Sequence, residues 1–224
     1  MSRVHDMGGR FGDGPVIPEP EDEVFHEEWH KRALAVTLAC GSLGQWNIDV
    51  SRHMRECLDP VDYTRFSYYE IWAAGLANLL VDAGVLTREE LASGAAQGSS
   101  PLEGRKLRAD KVAEVLAAGG PADRPSDIAP TFQVGDRVRT RQAGNLVIPG
   151  GHTRLPGYAQ TAEGRVVRYH GTHILPDSSA HRQGDAAEPL YAVAIAAKEL
   201  WLHPEHPNDE VVLDLWQSYL EPVA

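Results

Sequence analysis

Two arginine-bearing segments hold the residue types that could do chemistry: Asp49 to Glu56, with Arg52, and Gly151 to Tyr158, with Arg154. Arginine stays charged and donates several hydrogen bonds from a planar fork, so it suits anionic oxygens. Neither segment supplies a nucleophile. The two cysteines, Cys40 and Cys57, stand seventeen residues apart and form neither a disulfide framework nor a zinc knuckle. The pattern reads as half of a catalytic site, with the chemistry carried by another polypeptide. Plainer readings stay open at this point. Arg52 lies off the apolar stripe of its helix, and Glu56 at i+4 could brace it in an ordinary surface pair. Arg154 could be a solvated loop cation, although the glycines and proline around it make a short rigid loop that aims one side chain. Tyr68 and Trp72, at i and i+4 of one helix, share a face and could simply be a core pair.

One further motif invites a metal. His26-Glu27-Glu28-Trp29-His30 fits the H-E-x-x-H pattern of zinc peptidases, which needs both imidazoles one turn apart on a helix. Here the motif directly follows an acidic, proline-rich stretch, and no later helix offers an acidic third ligand. With ten histidines in the chain, a chance match is a sufficient explanation, and zinc peptidase ranks last among the alternatives.

The elements that must position these residues follow from periodicity and caps. Residues 1–28 are punctuated by Gly and Pro and read as an extended arm. Residues 29–120 read as helical: Trp29–Cys40 ended by Gly41; Asp49–Leu58 with Val50, Met54 and Leu58 as its buried stripe and Asp59-Pro60 as its stop; Tyr68–Ala83 opened by a Ser67/Glu70 capping box and closed at Gly84; a short helix after Thr87; and Arg108–Ala118. Residues 121–130, with three prolines, read as a linker. Residues 131–224 carry short alternating apolar runs with Gly turns, as in a small barrel, and Phe132–Val138 resembles the opening strand and turn of SH3-like barrels. The fold class is therefore α+β, a helical N-terminal half with an arm, then an SH3-like β-barrel.

At 224 residues with a formal net charge of −11, the chain is poorly suited to nucleic acid or anionic membrane surfaces. No apolar run approaches the roughly 18 residues of a membrane span. The N-terminus has no hydrophobic signal region, and the expected compartment is the cytoplasm.

Several stretches point to one family. Val4–Gly9 with Gly14-Pro15-Val16, Ser67–Trp72, Gly151–Tyr158, Tyr191-Ala192-Val193, Glu199-Leu200-Trp201, and Val212–Trp216 with Tyr219–Pro222 together resemble the β subunit of nitrile hydratase, in order and nearly end to end. The resemblance implies an α partner whose Cys-x-x-Cys-Ser-Cys segment binds low-spin Co(III) or Fe(III), with none on this chain. It implies an αβ heterodimer that pairs into α2β2, an arm that wraps the α subunit, and hydration of small-molecule nitriles to amides. By the same resemblance Arg52 and Arg154 hydrogen-bond the oxidised cysteines of the α subunit, while Tyr68, Trp72 and Ile48 line the substrate pocket. Some relatives carry an aromatic residue where this chain has Ser51, which implies a roomier or more polar pocket there. Two related roles compete: a β-type subunit of thiocyanate hydrolase, whose β-like regions are divided between chains, and a maturation chaperone for the α subunit. One full-length chain with both halves and the Arg154 loop argues for a permanent nitrile hydratase subunit.

Overall fold

The computed structural model describes residues 4–9, 14, 15, 17–21 and 24–223, and these divide into two units. A helical unit runs to Gly120, and a strand-bearing unit starts at Pro121 and also takes in Asp6–Gly9.

In the helical unit, α1 spans Glu28–Gly41 and α2 spans Ile48–Glu56. Asn47 caps α2: its side chain accepts from the Val50 amide at 2.9 Å and satisfies one orphan donor of the first turn. Of the expected stripe, Val50 and Leu58 are under a tenth exposed, while Met54 is half-buried. The helix nevertheless stops at Glu56. Asp59-Pro60, expected only as a stop, begins a further short helix, α3 (Pro60–Arg65), because Asp59 accepts from the Val61 amide at 2.8 Å and proline is tolerated at the first helical position. α4 spans Tyr68–Asp82; the Glu70 carboxylate accepts from both the backbone amide and the hydroxyl of Ser67. At its far end Gly84, with φ +66°, closes a Schellman motif: Gly84 donates to the Val81 carbonyl and Val85 to that of Leu80. Thr87 and Glu90 cap α5 (Arg88–Ser93) reciprocally, and a 3-10 turn leads into α6 (Val112–Ala118).

α4 carries the core of this unit, with Gly75, Leu76, Leu79 and Leu80 buried. It packs against both α1 and α2. The contact to α1 is aromatic: His30 stacks on Tyr69 at 4.8 Å between centroids, and Trp29 meets Tyr69 edge-on at 6.5 Å. The contact to α2 is close because Gly75 has no side chain.

In the strand-bearing unit, β1 (Arg137–Thr140), β2 (Glu163–His173), β3 (Glu188–Ala196), β4 (Glu210–Trp216) and β5 (Leu220–Pro222) form one antiparallel sheet in the order β4-β3-β2-β1-β5. Two short helices interrupt the meander, α7 (Pro176–Ser179) and α8 (Ala197–Leu200). β2 is long and carries two register shifts against β3, the second ending at Gly171 with φ +92°, so it bends and twists. The core lies on one face, from Phe132, Val138, Leu155, Val166, Tyr191, Val193, Ile195, Leu215, Tyr219 and Leu220. The strands were expected to close into an SH3-like barrel. The hydrogen-bonded ladder instead has two edges, β4 and β5, and does not close; β5 is only three residues long and ends in Pro222, which has no amide to donate.

The segment read as a linker is bonded within this unit. Asp123 bridges His173, the Arg124 amide donates to the Thr172 carbonyl, and the Ser126 hydroxyl donates to the Ala187 carbonyl. Part of the expected arm is bonded likewise: the Asp6 carboxylate accepts from the Gly157 amide at 2.9 Å, and the Gly9 carbonyl from the Trp201 indole at 3.2 Å.

Gly75 gives a test of the α2–α4 packing. A Cβ there would lie 2.7 Å from Arg55 Cγ and 3.3 Å from Arg55 Cα. Alanine gains about 1 kcal/mol of helix propensity, but forced overpacking costs about 1–3 kcal/mol. Because the obstruction is the root of a side chain and its backbone, overpacking should win. Gly75→Ala should lower the denaturant midpoint, and a midpoint equal to or above the parent's would show that α2 can move away freely.

Candidate functional site

The residues of interest fall in both units. In the helical unit, Ile48 and Arg52 lie one turn apart on α2, and Tyr68 and Trp72 one turn apart on α4. Ile48 and Tyr68 are about two-thirds exposed, at 64% and 63%. That is a poor place for large apolar groups unless something covers them. Tyr68 and Trp72 lie 5.5 Å apart in a tilted pair, and Tyr69 joins them at 5.2 and 6.1 Å.

Arg52 is not braced by Glu56. Its Nη1 donates to Asp49 Oδ1 at 2.9 Å, one turn toward the helix start, and Asp49 is 5% exposed. The acid sits at the N-terminal turn, where the helix dipole favours negative charge. Glu56 turns elsewhere, to His53 at 3.4 Å and His5 at 3.8 Å.

A second arginine of α2, missed in the sequence, occupies this surface. The Arg55 guanidinium lies over the Trp72 ring at 3.8 Å and donates to the Ser51 hydroxyl at 3.1 Å. Burial lowers its affinity for its proton below the ordinary arginine value, and Arg52 nearby works in the same direction. One face of Trp72 is therefore taken, so only the other could wall a pocket. No local signal announced this contact, since Arg55 and Trp72 meet only because α2 packs on α4.

Arg154 lies in the strand-bearing unit, on the loop between β1 and the 3-10 turn Gly157–Ala159. Its side chain is exposed and, among the described residues, has no acidic partner. The backbone beneath it is the opposite. The Tyr219 hydroxyl accepts from the Arg154 amide at 3.2 Å and from the Thr153 hydroxyl at 3.3 Å, and it donates to the Asp177 carboxylate. Asp177 and Tyr219 are fully buried. Burial pushes the Asp177 carboxyl up from the usual carboxylate range, against the pull of the bonds from Tyr219 and the Leu146 amide. Burial and then the Asp177 charge push the Tyr219 phenol up as well, so its proton stays on oxygen. Asn145 finishes the clamp, donating to the His152 and Asp177 carbonyls and accepting from the Val147 and Ile148 amides. The paired glycines also find a reason. Gly150 has φ +78°, and a Cβ on Gly151 would fall 2.4 Å from His181 Nε2 and 2.8 Å from Asn145 Nδ2.

The zinc-peptidase reading fails on geometry. α1 begins at Glu28, so His26 lies outside the helix, its ring against Glu19 at 3.2 Å, while His30 is stacked on Tyr69. Among the described residues no group of three or more His, Cys, Asp or Glu side chains is arranged to hold a metal ion. No helix among them is long and apolar enough to cross a membrane.

Comparison with known proteins now bears on this arrangement. Residues 1–117 match the family described as nitrile hydratase beta subunit, N-terminal, and residues 121–222 match nitrile hydratase beta subunit, C-terminal. The chain belongs to the nitrile hydratase β-subunit family. It is 36% identical to the nitrile hydratase subunit beta of Pseudomonas putida over 99% of this chain and 100% of that one. It is 32% identical, with the same coverage, to the low-molecular weight cobalt-containing nitrile hydratase subunit beta of Rhodococcus rhodochrous. A solved thiocyanate hydrolase from Thiobacillus thioparus aligns over 42% of this chain and 78% of its own at 28% identity with a TM-score of 0.38, too partial a likeness to bear on function.

His53 gives this region a pH dependence. Its hydrogen bonds with Cys57 (3.5 Å from Nε2) and Glu56 raise its pKa from 6.5 to about 9 against the opposing effect of burial. A folded-state pKa above the unfolded one contributes stability that is complete below about 6.5 and is lost as pH rises through about 9. The midpoint of denaturant unfolding should therefore fall between those values in the parent and fall less in His53→Gln. Equal slopes in both would remove His53 as the cause.

Proposed function

We propose that this chain is the β subunit of a nitrile hydratase, acting with a metal-bearing α subunit to hydrate nitriles to amides in the cytoplasm. One observation carries the site assignment. The chain presents an exposed guanidinium, Arg154, on a loop whose backbone is fixed from beneath by buried polar groups. A cation on backbone held so firmly, and left without an acidic partner among the described residues, suits an anionic oxygen brought by another molecule. In the helical unit Arg52 is oriented by Asp49 yet still offers donors.

Hydrating a nitrile needs a Lewis acid or a metal-generated nucleophile, which the Co(III) or Fe(III) of the α subunit supplies. Oxidised cysteine oxygens beside that ion carry charge that is costly to bury unpaired. In this reading Arg52 and Arg154 hydrogen-bond those oxygens. Tyr68 offers its phenol to the substrate, while Ile48 and the open face of Trp72 give apolar walls. The exposed apolar groups Ile17, Val24, Trp29 and Val36 supply surface for the α subunit. The arm covers that partner, the αβ pair doubles to α2β2, and the isolated chain is inactive. The strand order, with a 3-10 turn before the last strand and β5 returning to β1, supports an SH3-like reading of the segment from residue 131 onward.

Arg52→Lys keeps the charge but loses the fork, and kcat of the co-expressed αβ complex should fall by about a hundredfold, the scale of losing one donor to a developing anion. A near-normal kcat would remove Arg52 from the site. Trp72→Ala should change the ratio of kcat/KM between an aromatic and an aliphatic nitrile by roughly tenfold while metal content stays constant. An unchanged ratio would mean that substrate does not touch Trp72.

A further inference from the structure

We propose that Tyr219, supported by Asp177, is a positioning residue for Arg154: its hydroxyl fixes the backbone from which that guanidinium is aimed. The inference rests on the reading of Arg154 given above and concerns residues to which that reading assigns no role.

The geometry separates Tyr219 from an ordinary core aromatic. A ring that merely fills the core needs no hydroxyl, and a buried hydroxyl costs free energy unless bonded. Here the oxygen uses its whole capacity: it accepts from the Arg154 amide and the Thr153 hydroxyl, and it donates to Asp177. The two accepted bonds come from consecutive residues of one loop, 65 and 66 positions away in sequence, and the third goes to Asp177. The phenol itself cannot drift, because its own turn is held on every side. Gln217 accepts from the Tyr191 hydroxyl at 2.9 Å and the Thr131 amide at 2.7 Å, Ser218 donates to buried Glu188, and the Tyr219 carbonyl accepts from the Arg141 amide at 2.8 Å. Asp177 in turn fixes the hydroxyl's direction, so that its proton points away from the loop and its lone pairs face the two donors. It also accepts from the Leu146 amide at 2.7 Å, which holds the same loop at a second point. The sheet's rigidity thus reaches the base of Arg154 through one oxygen atom.

The test uses the assembled αβ complex. Tyr219→Phe should lower kcat by about tenfold to a hundredfold, the scale of a misplacement of about 1 Å at a reacting centre, with KM changed less than about twofold. Hydrogen exchange at the Arg154 amide should speed up while amides in β3 keep their protection. Placed on Arg154→Lys, the same change should cost less than about twofold more, because coupled residues are non-additive. A parental kcat in Tyr219→Phe, beside a crippled Arg154→Lys, overturns the positioning role and leaves Arg154's own role standing. Full activity in Arg154→Lys overturns the parent reading, whatever Tyr219→Phe does. Losses that simply multiply in the double variant would make Tyr219 a stability residue only. Should Tyr219→Phe not assemble, Asp177→Ala, which removes the oxygen that orients the hydroxyl, is read in the same way; parental kcat and unchanged Arg154 exchange in that variant overturn the proposal.

Discussion

A charged side chain can be aimed only as well as the backbone that carries it is fixed, and in this chain that requirement is met by polar groups buried where a core would otherwise be apolar. Asp177, Tyr219, His152, Ser178 and Ser179 all lie under a tenth exposed near one loop. Each such group loses its water on folding and must regain bonds inside the protein. The Asp177–Tyr219 pair does so with the Leu146, Thr153 and Arg154 donors. A half-satisfied network would be worse than an apolar core, so the loop and the turn around Tyr219 have to be correct together.

Arg52 and Arg154 show two solutions to one problem. Arg52 stands on a capped helix whose backbone is already rigid, so the fold needs only to choose a rotamer, and Asp49 one turn earlier does that. Arg154 stands on irregular backbone with no ladder of its own, so its rigidity is imported from the sheet through Tyr219 and from Asn145. Helical anchors are local in sequence, whereas loop anchors are distant. The same difference sets what a sequence can reveal.

Helix starts were legible because caps are local chemistry: Ser67 with Glu70, Thr87 with Glu90 and Gly84 each act within a few residues of where they stand. Strands were legible from alternation, down to the runs at Tyr191–Ile195 and Val211–Leu215. A dipeptide such as Asp59-Pro60 can end a helix or begin another, and only the Asp59–Val61 bond decides. Spacing allows Glu56 to brace Arg52, but i+4 and i−3 are both neighbours on a helix surface, and the buried Asp49 takes the bond. Arg55 on Trp72 and Tyr219 beneath Arg154 were invisible, since each depends on elements brought together by packing rather than by spacing. Sheet closure was likewise beyond reach, because it depends on whether two edge strands meet.

The overall charge of −11 sharpens what the local acids do. A chain this acidic could readily have neutralised both arginines with adjacent carboxylates. Arg154 has none among the described residues, and Arg52 has one, engaged at a single nitrogen. A guanidinium carries five N–H donors, so Asp49 orients Arg52 without exhausting it. That bond takes one terminal nitrogen, Nη1, from the side of the helix start, and leaves the remaining N–H donors to solvent or to a partner. Glu56, which could have reached Arg52 from the other side, is instead drawn off by His53 and His5. The placement of these carboxylates therefore keeps the positive charge available within a strongly negative chain, which net charge alone could never have disclosed.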